Sequence, residues 1–232
     1  MEEAENLLQQ DQEEYVIPLK VTVPEITTKM IGTEAFPDLI SEFSTKYSQS
    51  QKDRTTNLKL AAEKINGTVL MPGEVFSYNT VVGKRTIDAG YKEAGAYAGG
   101  KVIQEIGGGI CQVSSTLYNA VLYADLEIVE RSNHYFETSY VTAGRDATVS
   151  WGTVDFKFKN NRTYPIKIEA VAKNGINKIS ILGIKEEKEY EIVIQSKVTS
   201  IIEQEIKYEN DYSIPYGCLL YTSPSPRDGL LS

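Results

Sequence analysis

Apolar residues recur at helical intervals in three places along the chain. Leu58, Ala61, Ala62 and Ile65 share one helical face, and Asn66–Gly67 supplies the stop. Val113, Leu117, Val121 and Ala124 do the same in the clearest helix, expected over Cys111–Ala124. Phe36, Leu39, Ile40 and Phe43 also fall at helix-like spacing, so a helix is expected there, followed by a polar linker. Elsewhere the pattern is strand-like. "TVLM" precedes the turn "PGE", and Lys101–Ile106 forms an apolar run behind a glycine- and tyrosine-rich stretch. "EIVERSNHYFETSYV", "ATVSWGTVDFKFKN", "YPIKIEAVA" and "KISILGIK" follow the second helix, divided by "TAGRD", "NNRTYP" and "KNG". The expected fold class is α+β: mostly antiparallel sheet from the C-terminal half, packed with a few helices, one starting at Cys111.

The ends read differently. The first residues suggest a short helix and an edge strand punctuated by Pro18 and Pro24, and Tyr190–Gly217 reads as the start of another strand-rich unit. Cys218–Ser232, "CLLYTSPSPRDGLLS", reads as the translation of a transposase sequencing adapter and is set aside from the fold.

Charge removes some partners. With 24 basic against 32 acidic side chains and a net charge of −8, the 232-residue chain has no general reason to bind nucleic acid or anionic lipid. No apolar run approaches the roughly 18 residues of a membrane span, and the acidic opening "MEEAENLLQQDQEE" is not a secretory signal. A monomer is expected. Outside the adapter-like stretch, one cysteine and one histidine, with no phosphate-binding glycine loop, point to neither metal nor cofactor.

With Cys218 set aside, Cys111 stands behind three glycines in "GGGICQVSS". At the first turn of a helix a cysteine meets unpaired backbone N–H groups and the positive end of the helix dipole, which favour thiolate. Glycines there let the backbone turn sharply and bring peptide N–H groups to a developing oxyanion. Gly108, Gly109, Gln112, Ser114 and Ser115 are therefore candidate substrate contacts, although both serines also suit helix-start hydrogen bonding. His134 is the base available to such a thiol. Asp146 is the first candidate to orient its ring and Glu137 the second. Arg145 either holds a substrate carboxylate or pairs with Asp146. Tyr91 and Tyr97 are candidates to line a groove. A lone cysteine at the start of a core helix also fits a buried structural residue, in which case no catalysis follows.

"NLKLAAEKINGTVLMPGEVFSYNTVVG", "GYKEAGAYAGGKVIQEIGGGICQVSSTLYNAVLYADLEIVER", "GRDATVSWGTVDFKFKNN" and "YPIKI" resemble, in order, the VanW domain family over about residues 54–183. The common "HPHS" context of the family's histidine stands here as "SNHY". Residues 1–50 resemble the end of a peptidoglycan-binding domain plus linker, and 190–217 the truncated start of a glycine-rich extracellular module. The resemblance implies a cysteine L,D-transpeptidase that joins peptidoglycan stem peptides by three-to-three cross-links, with Cys111 as nucleophile and His134 as its partner. It further implies a place outside the cell, with a membrane anchor lying beyond this stretch and Met1 internal to a longer gene. Lys84, Arg85 and Arg145 are expected to meet an anionic wall polymer locally. A cysteine peptidase or amidase, and a non-catalytic wall- or glycopeptide-binding module, are the alternatives.

Overall fold

The computed structural model describes residues 35–98, 101–135, 137–197 and 212. Contacts divide the chain into Met1–Ala35 and Phe36–Ser232, and the account below concerns the second unit. The expected N-terminal helix and edge strand, the strands beyond residue 197 and the adapter-like residues lie outside the described residues, Tyr212 apart.

A four-stranded antiparallel sheet organises this unit, in the order β1 (Asp38–Lys46), β9 (Ile176–Gly183), β8 (Ile166–Lys173), β2 (Val69–Leu70). Strict alternation builds its inner face: Ile166, Ile168, Ala170 and Ala172 of β8 and Ile179 and Ile181 of β9 are all buried. Helix α1 (Lys52–Ile65) packs on β8, whereas α3 (Ile110–Tyr123) packs on β1 and β9. Leu58, Ala61, Ala62 and Ile65 meet the sheet together with Val113, Leu117, Ala120 and Val121 in one core.

The helix expected around Phe36–Phe43 is instead strand β1. A register shift between Leu39 and Ser41 leaves Ile40 as an extra residue, so the apolar positions before and after the bulge fall out of step and mimic helical spacing. Two of the inward positions of β1 after the bulge, on either side of Phe43, are polar. Ser41 Oγ donates to the Ala120 carbonyl at 2.6 Å, and Thr45 and Thr116 share a hydroxyl hydrogen bond of 2.8 Å. The expected linker is also shorter, because α1 begins at Lys52.

A second sheet, β3 (Val75–Ser77), β7 (Lys157–Lys159), β6 (Glu127–Glu130), is antiparallel and backed by stacked Phe76 and Phe158, 5.0 Å apart. Between β3 and the next strand lies the short helix α2 (Tyr78–Val82), capped by Ser77 Oγ on the Thr80 amide. The hairpin β4 (Glu93–Ala98) and β5 (Lys101–Ile106) then delivers the chain to the glycine turn before α3. β4 escapes the hydrophobic pattern because "EAGAYA" is mostly small residues. Residues 131–156, expected as strands, are mostly irregular, with isolated bridges at Ser132–Thr148 and Ser150–Val154. Tyr190–Lys197, expected to begin strands, carries none.

Candidate active site

Buried Asn57 on α1 sets the turn before α3. Its Nδ2 donates to the carbonyls of Lys92 and Gly108, both at 2.9 Å, while its Oδ1 accepts from the Lys92 amide at 2.8 Å. Gly108 lies against β4 so closely that a Cβ there would stand 2.2 Å from the Ala94 carbonyl oxygen. Gly109 caps α3 at φ +98°, a backbone region that L side chains rarely adopt. Glycine is thus required for backbone approach at one position and for the turn at the next.

The N–H groups of Gly107, Gly108, Ile110 and Gln112 donate to the carbonyls of Lys92, Glu105, Gly107 and Gly109. Among the described residues, those of Gly109 and Cys111 meet no backbone carbonyl in hydrogen-bond geometry. One free amide therefore belongs to the cysteine itself, in the first turn of α3, where orphan donors and the helix dipole favour negative charge.

Cys111 is half-buried and free. Its sulfur donates to the Val149 carbonyl at 3.5 Å and lies 3.8 Å from Thr148 Oγ1. Burial pushes the thiol up, but a hydrogen bond and charge attraction from His134 override it and leave the thiol below its ordinary value. His134 shows the complementary effect. Burial disfavours its cation, yet hydrogen bonds with Asp146 and Cys111 raise the imidazole to about 9. Its Nδ1 sits 2.5 Å from Asp146 Oδ2, which leaves Nε2 for the sulfur. Asp146 is itself held below the usual carboxylate range; burial opposes this, while His134 and Arg131 outweigh it. The lowered thiol and the raised imidazole both favour proton transfer from Cys111 to His134, toward a thiolate–imidazolium pair backed by a carboxylate.

One helix and two irregular stretches carry these groups. Ser114 and Ser115, fully buried, clamp the chain next to Asp146: Ser114 Oγ donates to the Ala147 carbonyl at 2.6 Å, and Ser115 Oγ accepts from the Ala147 amide at 2.9 Å. Arg131, which the sequence did not mark out, closes the other side. Its Nε donates to the Asp146 carbonyl at 2.7 Å and its Nη2 to Asp146 Oδ1 at 3.0 Å. The guanidinium also rests 5.2 Å from the ring centroid of Tyr118 on α3. Arg131, Asp146 and α3 therefore lock one another. An arginine three residues before the histidine and an aspartate twelve after it were the only traces of this network in the sequence.

Other expected contacts lie elsewhere. Gln112 is buried as a brace, its Nε2 donating to Thr45 Oγ1 and the Lys46 carbonyl while its Oε1 accepts from Arg54. Arg145 neither pairs with Asp146 nor faces the thiol. Its Nε donates to Asn119 Oδ1 at 2.7 Å and its Nη2 to the Tyr123 hydroxyl at 3.0 Å. Those residues lie eight and twelve positions beyond Cys111, roughly 12 and 18 Å along a helix axis. In the structure Arg145 anchors the loop to α3 rather than standing at the thiol, where a substrate grip was expected. Glu137 is exposed, and Asp146 alone takes the orienting position. Tyr91 is buried rather than groove-lining, and the Tyr97 side chain lies outside the described residues. Lys84 is exposed. Arg85 lies over the Tyr78 ring at 5.7 Å and donates from Nη1 to Asn79 Oδ1 at 2.7 Å.

A sequence model of the family described as "VanW like protein" matches residues 53–182, more than half of the chain. The chain belongs to the VanW-like family. Cys111, His134 and Asp146 all lie within the matched VanW-like region. The chain is similar to the uncharacterized protein YoaR of Bacillus subtilis (strain 168), 44% identical over 158 residues, 66% of this chain and 52% of YoaR. It is also similar to the vancomycin B-type resistance protein VanW of Enterococcus faecalis (strain ATCC 700802 / V583), 38% identical over 123 residues, 50% of this chain and 45% of that protein. The chain thus spans about half the length of these relatives. No solved structure matches it.

Proposed function

We propose that this VanW-like protein is a cysteine acyltransferase acting on peptidoglycan stem peptides outside the cell, an L,D-transpeptidase that forms three-to-three cross-links. The observation that carries the chemistry is the Asp146–His134 hydrogen bond at Nδ1, with the imidazole and the Cys111 thiol at the start of α3 shifting each other's ionisation in opposite directions. The family resemblance, and the resistance protein among its relatives, support the cell-wall substrate.

In this reading the Cys111 thiolate attacks the carbonyl carbon of the third stem residue. The carbonyl π electrons move to oxygen, and the resulting oxyanion is held by the free Cys111 amide at the helix start. When that oxyanion collapses, the bond to the terminal D-alanine nitrogen breaks, and the His134 imidazolium gives its proton to the departing amine. A thioester remains. The side-chain amine of a neighbouring stem then attacks it, neutral His134 takes the amine proton, and the sulfur leaves as thiolate to restore the ion pair. Asp146 keeps Nδ1 occupied throughout and stabilises the imidazolium each time it forms.

Incubation with purified muropeptides, followed by mass spectrometry, tests this reading. Cross-linked dimers with loss of D-alanine are expected, and Cys111→Ala should form none. Shortened monomers without dimers would make the protein a peptidase or amidase. Binding to peptidoglycan that is unchanged in Cys111→Ala, with no product in either protein, would make it a binding module.

A further inference from the structure

An open cleft between the Ser150–Val154 turn and the junction of β3 and α2 plays no part in the chemistry at the thiol. Its volume is about 390 Å³, within the range of small-ligand sites. Trp151, the only tryptophan in the chain, lies on its wall and remains 47% exposed. The turn that carries it is well braced. Ser150 and Val154 exchange backbone hydrogen bonds of 2.8 and 3.1 Å, and Asn79 Nδ2 donates to both of their carbonyls. A large indole fixed at a turn tip and left half in solvent offers a flat apolar face rather than core packing.

The remaining lining is polar. Lys157 donates to Glu130 at 2.7 Å, and the Asp155 carboxylate accepts from Ser77 Oγ at 2.6 Å and the Asn79 amide at 2.9 Å. Two carboxylates and one ammonium give the lining a formal charge of −1, which disfavours an anionic occupant. Asp155 is buried and its two oxygens are taken by Ser77, Asn79 and Phe156, so what fits is a neutral ring with one apolar face for the indole and a rim of hydroxyls for the Glu130 carboxylate, the Lys157 ammonium and the Thr80 hydroxyl. A pyranose has that form. A stem peptide, whose carboxylates would meet Glu130 and Asp155, does not.

The cleft is also linked to the nucleophile along the chain. Val149, whose carbonyl receives the Cys111 hydrogen bond, is two residues before Trp151, a chain distance of at most about 7 Å. We infer that this cleft is a saccharide subsite, taking a neutral N-acylated amino-sugar ring of the glycan beside the peptide that Cys111 engages. The inference rests on the proposed function for the link between sugar and peptide, but binding at the cleft requires no turnover.

Because Trp151 is the single tryptophan, its fluorescence reports on this cleft alone. Titration of the intact chain with N-acetylglucosamine oligomers should give a saturable change in emission, and a sugar-free stem tetrapeptide should give none. Glu130→Gln combined with Lys157→Met should weaken the saccharide response at least tenfold. Trp151→Ala should lose saccharide signals in saturation-transfer NMR while keeping the circular dichroism of the parent. No response to saccharide, or a response to the tetrapeptide alone, would overturn the inference. An acyl-enzyme that forms while Trp151 stays silent sinks the subsite and spares the catalytic reading; a saccharide response without acyl transfer does the reverse.

Discussion

Asp146 holds His134 twice through one atom: Oδ2 accepts from the His134 backbone amide at 2.6 Å and lies 2.5 Å from its Nδ1. A single carboxylate oxygen thereby fixes both the chain path and the ring orientation of a residue that sits in no regular element. Ring placement would otherwise cost conformational entropy at each turnover, and here it is settled during folding.

Asp146→Asn should therefore lower the rate of acyl transfer by about 10³–10⁴-fold, the scale seen when the orienting carboxylate of such a triad becomes an amide. Far-UV circular dichroism should remain native. A loss under tenfold would show that the imidazole is held by other means. The carboxylate's lowered pKa also stabilises the fold above the ordinary aspartate range, and that contribution disappears as pH falls through the folded value. Acid denaturation of the variant should lack this component.

The pH dependence of kcat/KM should have an acid limb set by Cys111 ionisation and an alkaline limb near 9, where the His134 imidazolium loses its proton. Since Asp146 raises the imidazole, Asp146→Asn should move the alkaline limb to lower pH. An alkaline limb that stays fixed in the variant would place that proton elsewhere.

Ser115→Ala should destabilise the protein by about 1–3 kcal/mol, because the buried Ala147 amide loses its acceptor. The same substitution frees the segment that carries Asp146, so thermal stability and acyl-transfer rate should fall together. Calorimetry and rate measurements on one preparation check the pairing. Full activity in a clearly destabilised protein would separate the serine clamp from the site.

Arg145→Ala should behave differently. It removes hydrogen bonds to Asn119 and Tyr123 and the packing over Phe43, so melting temperature should drop. The KM for a carboxylate-bearing donor should stay within about twofold, since the guanidinium does not face the thiol. A KM rise of tenfold or more would restore the substrate-grip reading of this arginine.

Legibility from sequence followed from how local each feature is. Both long helices were readable because Leu58–Ile65 and Val113–Val121 pack one face on a sheet, and that face repeats every three or four residues. The candidate cysteine was readable for the same reason, since its helix start and the glycine turn are contiguous. β1 was not, because a bulge at Ile40 broke the alternation and its inward serine and threonine pair with α3 through hydroxyls. Nor was the irregular run from Ser132 to Asp155, whose path is set by long-range clamps from Ser114, Ser115, Asn119 and Arg131. The roles of Arg131 and Arg145 could not be told apart in advance: both flank Asp146 in space or sequence, and only the tertiary path decides which one touches it.

The measurement closest to the central claim is the alkylation rate of Cys111 by iodoacetamide as a function of pH, read by peptide mapping so that Cys218 is scored separately. The ion pair predicts reactivity that persists below the ordinary thiol range, with a loss of that low-pH reactivity in His134→Ala. A Cys111 profile that titrates like a free thiol, and is indifferent to His134, would contradict it.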